Sequence, residues 1–287
     1  MDKPSGPTSF AVVDRVRRLC RIRRVGHAGT LDPLASGVLL ILLGQATRIA
    51  RYLETLPKEY IAVVRLGVST DTDDAQGRII GQAQVPRLSR QELESSLRRF
   101  TGEIEQTPPL YSALKKDGQP FYRLARRGER ELPQPRKIRV HRLELLEFDG
   151  VEMRLDIACS RGTYIRAIAR DLGREIGCGG ILAWLRRTSV GPFRVEAGTP
   201  FSELDRERIE KAGLTLDQAL SFMPQVELAE DQARAVGHGR PLKISVRESE
   251  GTAFRLRHKG RLIAVGRKIG DEIKPECVFN PFHDDGC

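Results

Sequence analysis

Thirteen residues near the start of the chain, Val25-Gly26-His27-Ala28-Gly29-Thr30-Leu31-Asp32-Pro33-Leu34-Ala35-Ser36-Gly37, break every periodicity around them. Before them Val12, Val13, Val16, Leu19 and Cys20 recur at helical spacing behind Thr8 or Ser9, either of which suits an N-cap. After them the apolar run at 38–43 reads as a strand, and Gly44 separates it from a second helix carrying Ala46, Ile49, Leu53 and Leu56 inward. With three glycines and a proline, the intervening stretch reads as a loop of unusual backbone demands. The chain must therefore carry an irregular loop between regular elements, and the rest of the fold has to hold that loop in shape.

The remaining pattern is that of an α+β protein. Residues 59–68 read as a strand containing Tyr60. Ser89 and Glu92 form a capping box ahead of Leu93, Leu97 and Phe100. Val151, Met153, Leu155, Ile157 and Cys159 alternate with Glu152, Arg154 and Asp156, as in a half-exposed strand. That strand runs through Ser160-Arg161-Gly162-Thr163-Tyr164 into a helix with Ile165, Ile168, Leu172 and Ile176 inward, stopped by Gly177. Residues 107–136 are rich in Pro, Gly, Arg and Lys with one short basic helix around Phe121–Arg127, a pattern of a binding insertion rather than of core. Past Pro200 the sequence turns acidic and helical, and a boundary falls near Met223-Pro224. The short strand patterns Phe254–His258 and Leu262–Val265 that follow suggest a small β-barrel. The expected organisation is a domain over 1–223 and a smaller one over 224–287.

Charge narrows the partner. Forty-eight Lys and Arg face 38 Asp and Glu, a net +10, which favours a polyanion because each neutralised phosphate releases counterions. Arg15, Arg17, Arg18, Arg21, Arg23 and Arg24 cluster just before the irregular loop, and Arg123, Arg126, Arg127 and Arg130 lie in the insertion, where they are candidate phosphate contacts. No apolar run approaches the ~20 residues of a membrane span, and the N-terminus has neither signal-peptide nor transit-peptide character. A cytoplasmic location is expected. Five scattered cysteines without a CxxC pair indicate neither a zinc site nor a disulfide framework.

Most familiar chemistries are missing from the sequence. The cluster Asp71-Thr72-Asp73-Asp74 fails as a calcium loop, since Ala75 and Gln76 stand where an oxygen ligand and a glycine belong, and reads as a structural turn before Gly77. There is no Walker loop, no GxGxxG opening a helix, no HExxH and no GxSxG, and the histidines lack metal-ligand spacing. The irregular loop itself remains, with His27, Thr30 and Asp32 directly after the arginine cluster. An aspartate before proline is a common turn-former. Glycines around it, however, let a substrate approach the backbone, and nearby cations favour the ionised carboxylate that a nucleophile requires.

At these residues the sequence resembles a known family. Lys3-Pro4-Ser5-Gly6-Pro7-Thr8-Ser9, then Gly26 to Gly37, then Gly162-Thr163-Tyr164-Ile165-Arg166 with Asp171-Leu172-Gly173, are similar to the signature blocks of the TruB family, the bacterial tRNA pseudouridine synthases that act on the T-loop. Pro108-Pro109-Leu110-Tyr111-Ser112-Ala113-Leu114-Lys115 resembles the family's RNA-gripping thumb, and Gly260–Gly266 with Lys274-Pro275 resembles its C-terminal PUA domain. The blocks run in order along nearly the whole chain. One departure is that members carry an apolar strand before the Lys-Pro block, whereas this sequence begins almost on the block.

The resemblance implies a large mixed, mostly antiparallel sheet flanked by helices, with a small β-barrel after it. It implies Asp32 as the catalytic carboxylate, with addition to uracil C6, attack at C1′ and assistance of elimination all open. It further implies Tyr60 as the catalytic aromatic that stacks on the uracil and helps remove its C5 proton, Arg166 as the catalytic partner of Asp32, and His27 as the group filling the place of the flipped nucleotide. Tyr164 and Leu185 would line the base pocket. Tyr60 and Leu185 would equally suit core-facing strand positions. Neither cofactor nor metal is implied, the partner is the T-stem-loop of tRNA, and the protein would act as a monomer without an obligatory protein partner. Two other readings stay open: a related synthase directed by a guide RNA, and an RNA-binding factor that folds tRNA.

Overall fold

The structure is a computed structural model that describes residues 1–129 and 131–279. From the N-terminus the chain forms β1 (Asp2–Lys3), α1 (Ser9–Cys20), β2 (Val25–Ala28), β3 (Ser36–Val38), β4 (Leu40–Leu43), a 3-10 turn over Gly44–Ile49, α2 (Ala50–Glu54), β5 (Lys58–Leu66), β6 (Val68–Thr70) and β7 (Ile79–Gln82). It continues through α3 (Arg90–Arg99), β8 (Gly102–Gln106), β9 (Lys115–Lys116), β10 (Gln119–Pro120), α4 (Phe121–Arg126), β11 (Arg136–Phe148), β12 (Glu152–Cys159), α5 (Ile165–Ile176), β13 (Gly180–Val190) and β14 (Phe193–Arg194). Two helices, α6 (Arg206–Ala212) and α7 (Leu216–Ala219), precede β15 (Gln225–Glu227), α8 (Glu230–Gly237), β16 (Leu242–Lys243), β17 (Ala253–His258), β18 (Arg261–Ile269) and β19 (Glu272–Val278).

The chain divides into two compact units, and the division is not a single cut in sequence. The first holds Met1–Ser9, Thr30–Leu39 and Glu54–Phe201; the second holds Phe10–Gly29, Leu40–Leu53 and Ser202 onward. The chain thus enters the first unit three times, and the second entry is the Asp32 loop.

In the first unit, among the described residues, eight strands form one sheet in the order β1-β3-β13-β5-β12-β11-β8, with β14 on β13. Every pairing is antiparallel except β3 with β13. This is the mixed, mostly antiparallel sheet expected from the sequence. β5 is its middle strand, with Tyr60, Ala62, Val64 and Leu66 buried on one face, the period-two burial of a sheet covered on that side. α5 buries Ile165, Ile168 and Leu172 against β13 and ends at Gly177, whose φ of +87° is the left-handed cap that a glycine supplies most readily.

Gly37 decides how the Asp32 loop joins the sheet. Its φ is +104°, and a Cβ there would lie 2.1 Å from the backbone oxygen of Arg187. Only a residue without a side chain lets β3 run this close beside β13, where Ser36 and Gly37 pair with Arg186 and Arg187.

In the second unit β2 pairs with β4, and the strands β15-β17-β18-β19-β16 curl into a half-barrel. Its core is Val226, Leu228, Val236, Leu242, Phe254, Leu256, Ile263, Ala264 and Ile273. The turn at 44–49 and α2 belong with this half-barrel. Tyr52 donates to Glu276 Oε2 at 2.6 Å, Arg267 binds the same carboxylate through Nε and Nη2, and Arg48 donates to the carbonyl of Val278. Burial and the Glu276 carboxylate together push the Tyr52 phenol above its ordinary range. No helix among the described residues is long and apolar enough to cross a membrane.

Candidate active site

The Lys3–Ser9 block is a brace for the Asp32 loop. Ser9, one of the two residues that suit an N-cap, spends its hydroxyl otherwise: it donates to the carbonyl of Leu31 and accepts from the N–H of Leu31, both at 2.9 Å. The Gly6 N–H donates to the carbonyl of Pro33 at 2.8 Å. Lys3 is fully buried and folds its ammonium onto the carbonyls of Pro4 and Pro7; burial lowers its pKa to about 8. Within the loop the N–H of Ala35 donates to the carbonyl of Asp32, closing a turn with Asp first and Pro second. Asp32 is a turn-former as well as a candidate nucleophile, and its backbone is fixed from both sides.

Its carboxylate meets one guanidinium. Arg166, on the first turn of α5, donates from Nε to Asp32 Oδ2 at 2.9 Å, from Nη1 to the carbonyl of Thr72 at 2.8 Å and from Nη2 to the carbonyl of Tyr111 at 3.0 Å. The arginine side chain is 5% exposed and that of Asp32 39%. A buried, fully engaged guanidinium therefore holds a carboxylate that still reaches solvent, the geometry of a group aimed by a charge-assisted bond.

A second carboxylate, that of Asp74, approaches the same nitrogen, with Oδ2 3.7 Å from Nε. It is buried, and its Oδ1 accepts from the Thr72 hydroxyl and the Gln76 N–H. One turn further along α5, Arg170 pairs with Asp73 at 3.1 Å and donates to the carbonyl of Thr107. The acidic cluster is thus more than a turn before Gly77: its carboxylates and carbonyls seat the two arginines of α5. The signal was present in the sequence as two arginines four apart on a helix facing two adjacent aspartates, but only the tertiary fold brings these segments together.

Tyr60 lies on β5, opposite Arg187 of β13 and Ile157 of β12. Burial pushes its phenol up to about 12, and the positive charge of Arg187 pulls the other way. Arg187 was not among the residues singled out in the sequence. It is 2% exposed and donates from Nε to the carbonyl of Val38 at 2.7 Å and from Nη1 to that of Thr30 at 3.4 Å. Leu185, two residues before it, is buried and opposite Ala62, with its carbonyl accepting from Ser36.

Tyr164 is the N-cap residue of α5. Its N–H and carbonyl are both bonded to the side-chain amide of Gln106, at 2.8 and 3.0 Å, and the Arg136 guanidinium lies 4.8 Å from its ring centroid. His27 is in the second unit, on β2 opposite Ile41 of β4. Asp32, Tyr60, Arg166, Tyr164 and Leu185 all belong to the first unit. Of the insertion arginines, Arg123 and Arg127 are exposed, Arg126 lies in α4, and Arg130 falls outside the described residues. Among the described residues no group of three or more His, Cys, Asp or Glu side chains could hold a metal ion.

Comparison with known proteins agrees with this geometry. Residues 17–165 match the TruB family pseudouridylate synthase N-terminal domain, and residues 166–221 match the tRNA pseudouridylate synthase B C-terminal domain. The chain is 41% identical over 278 residues to tRNA pseudouridine synthase B of Stutzerimonas stutzeri (strain A1501), covering 94% of this chain and 91% of that protein. It is 45% identical over 228 residues to the protein of the same name from Francisella philomiragia, covering 79% and 73%. A solved Cbf5-Nop10-Gar1 complex superimposes with a TM-score of 0.76 at 26% identity, covering 96% of this chain and 83% of the matched chain. Sheet, site and relatives define a pseudouridylate synthase. Within that class the chain belongs to the TruB family.

Proposed function

We propose that this enzyme converts the T-loop uridine of tRNA to pseudouridine with Asp32 as the acting carboxylate. The observation that supports it most is the partly exposed Asp32 carboxylate held at 2.9 Å by the buried Arg166. The reaction breaks the N1–C1′ bond, turns the uracil and joins C1′ to C5; C5 gives up its proton and N1 gains one, so nothing is oxidised and no group leaves. A base stacked within an RNA loop has to be flipped out to be reached. In this reading Tyr60 stacks on it, Leu185 and Tyr164 line its pocket, and His27 occupies the gap left behind. A phenol with a pKa near 12 is protonated at neutral pH. Tyr60 therefore meets the base as a stacking ring and a hydrogen-bond donor, and carries no standing negative charge.

Residues 1–223 would form the catalytic domain, with the insertion at 107–136 gripping RNA through Arg123, Arg126, Arg127 and Arg130, and residues 224–287 a PUA-like RNA-binding domain. The enzyme would work in the cytoplasm as a monomer, without cofactor, metal or obligatory partner. The relatives named tRNA pseudouridine synthase B favour tRNA as substrate. The likeness to a chain solved with Nop10 and Gar1 favours a partner-dependent enzyme at lower identity.

One experiment separates them. The protein alone, in buffer with EDTA, is given an unmodified tRNA transcript or an isolated T-stem-loop, and pseudouridine is read by carbodiimide-dependent primer extension. Modification of both, lost in Asp32→Asn with RNA affinity retained, is the expected result. Reaction only after an accessory RNA or protein is added overturns the unaided reading. Asp32→Asn turnover above a few per cent of wild type overturns the role of Asp32.

A further inference from the structure

We propose that Gln106 is a positioning residue of this reaction: its side-chain amide holds Tyr164 where the chain passes from β12 into α5, and so sets where the Tyr164 ring stands in the base pocket. The inference rests on the reading above in which Tyr164 lines that pocket.

Gln106 ends β8 and is 2% exposed. A primary amide buried to this degree needs partners for both its oxygen and its nitrogen, and Gln106 finds them on a single residue. Its Oε1 accepts from the N–H of Tyr164 at 2.8 Å, and its Nε2 donates to the carbonyl of Tyr164 at 3.0 Å. Two bonds to the N–H and C=O of one residue are what a neighbouring strand gives in a hydrogen-bonded antiparallel pair. Here a side chain supplies them to a residue outside the strands. Tyr164 has extended dihedrals, φ −100° and ψ 111°, directly ahead of α5 and no side-chain cap bond. Its carbonyl also accepts from the N–H of Ile168 at 3.2 Å, so the amide fixes the residue from which the helix starts.

The ring is held from a second direction. Arg136 is the ladder partner of Gln106 in the β11–β8 pair, donates from Nη2 to the carbonyl of Gly162, and places its guanidinium 4.8 Å from the Tyr164 ring centroid, a cation–π contact. Gln106 stands directly before the insertion at 107–136 and Arg136 closes it, so the two ends of that segment meet on one pocket residue. The β8–β11 ladder is made by the backbone, whereas both hydrogen bonds of the Gln106 amide go to Tyr164. Glutamine is what this place requires: an ionised glutamate has no donor for the carbonyl, and methionine has the length without either bond.

The test is a double-mutant cycle. Gln106→Met is made in the wild-type enzyme and in Tyr164→Leu, which lines the pocket without a ring. Each protein is shown to be folded by denaturant unfolding, then measured for tRNA affinity and for single-turnover pseudouridine formation at saturating tRNA. A misplacement of about 1 Å in a reacting site can cost roughly 100-fold in rate. Gln106→Met should slow the wild-type enzyme by roughly tenfold or more, with tRNA affinity within about threefold. It should slow Tyr164→Leu by less than about threefold, because no ring is left to place. Equal losses in both backgrounds would overturn the proposal, since Gln106 would then act through the fold or through Arg166 two residues on. A Gln106→Met or Tyr164→Leu enzyme as fast as wild type would overturn it as well. If Gln106→Met does not fold, Gln106→Asn, whose amide is one methylene too short for Tyr164, decides by the same outcomes. If Tyr164→Leu is too slow to time, Arg136→Met takes its place in the cycle, and full additivity with Gln106→Met would overturn the shared hold on the ring. A wild-type protein that makes no pseudouridine is a different failure, that of the functional reading, and is seen before any substitution is made.

Discussion

Two sets of arginines in the first unit differ in nearly every respect. Arg166 and Arg170 on α5, the first buried and the second largely so, stand four residues apart with their donors fixed on carboxylates and on the carbonyls of Thr72, Tyr111 and Thr107. Arg123 and Arg127 around α4 are exposed, and Arg127 donates to the side chain of Gln119. A buried guanidinium with a full set of partners is a jig: it sets the direction of a carboxylate and has little charge left to offer a distant phosphate. An exposed one keeps its field in solvent, where it draws in a polyanion without specifying any single geometry. In the proposed function, orientation and capture fall to separate arginines within one unit.

The sharpest attempt to break this division is Arg166→Lys. A lysine keeps the charge but cannot serve Asp32, Thr72 and Tyr111 together, so single-turnover rate should fall by roughly 100-fold, in line with the loss of charge-assisted bonds at a reacting group. tRNA affinity should stay within about threefold. A similar fall in affinity would mean that the buried set also captures RNA. The opposite test replaces Arg123, Arg126, Arg127 and Arg130 together with Ala. Affinity should drop and its log–log salt dependence flatten by up to ~0.9 per lost contact, with the rate at saturating tRNA unchanged; an unaltered salt slope would return these residues to an ordinary solvated surface.

Arg170→Lys sharpens the comparison inside α5. Arg170 is as engaged as Arg166 but bonds Asp73, Asp171 and Thr107, not Asp32. Its loss should appear as about 1–2 kcal/mol of stability in denaturant unfolding, with a rate within about threefold of wild type. A large rate effect would show that the whole helix face, not Arg166 alone, aims the carboxylate.

The smallest effect concerns Lys58, a buried cation bonded only to carbonyls among its recorded hydrogen bonds, those of Glu54 and Leu56 at 2.6 Å. Burial, with help from Arg187, lowers its pKa to about 8 against 10.5 in the unfolded chain. Between those values the unfolded state binds a proton that the folded state does not, so the stability of wild type relative to Lys58→Met should rise from about pH 8 to 10.5 and be flat below 8. Unfolding measured at pH 7, 9 and 10.5 in both proteins checks the sign.

What the sequence made readable was local. The alternation at 151–159 and the capping box at Ser89 appear as expected because each is decided by a few adjacent residues. So does the stop at Gly177. Asp32, Tyr60 and Arg166 could be singled out because they sit in short blocks of recognisable pattern. Of the two residues that suit a cap, Thr8 and Ser9, the second gives its hydroxyl to Leu31, 22 positions away, which no local pattern reveals. Asp74 looked like part of a turn, which it is, but its charge is used by a helix 92 residues later. Arg187 stands in its strand directly after Arg186, and nothing short-range distinguishes the buried arginine from its half-buried neighbour. In each case the missing information was a long-range contact, which neither propensity nor periodicity carries.

The pairing of β3 with β13 has a further consequence, for the time at which the enzyme comes into being. Asp32 and Arg166 are 134 residues apart, and Arg187 reaches back 149 and 157 residues to Val38 and Thr30. Asp2 also bonds the carbonyl of Thr199. Contacts of such separation form late, because the entropy of closing the intervening loop has to be met before they contribute. On the ribosome, the N-terminal block and the Asp32 loop emerge early but stay without their anchors until residues near 200 have been made. The nascent chain therefore carries its basic insertion before the Asp32 carboxylate has Arg166 or the loop has Arg187 to hold it.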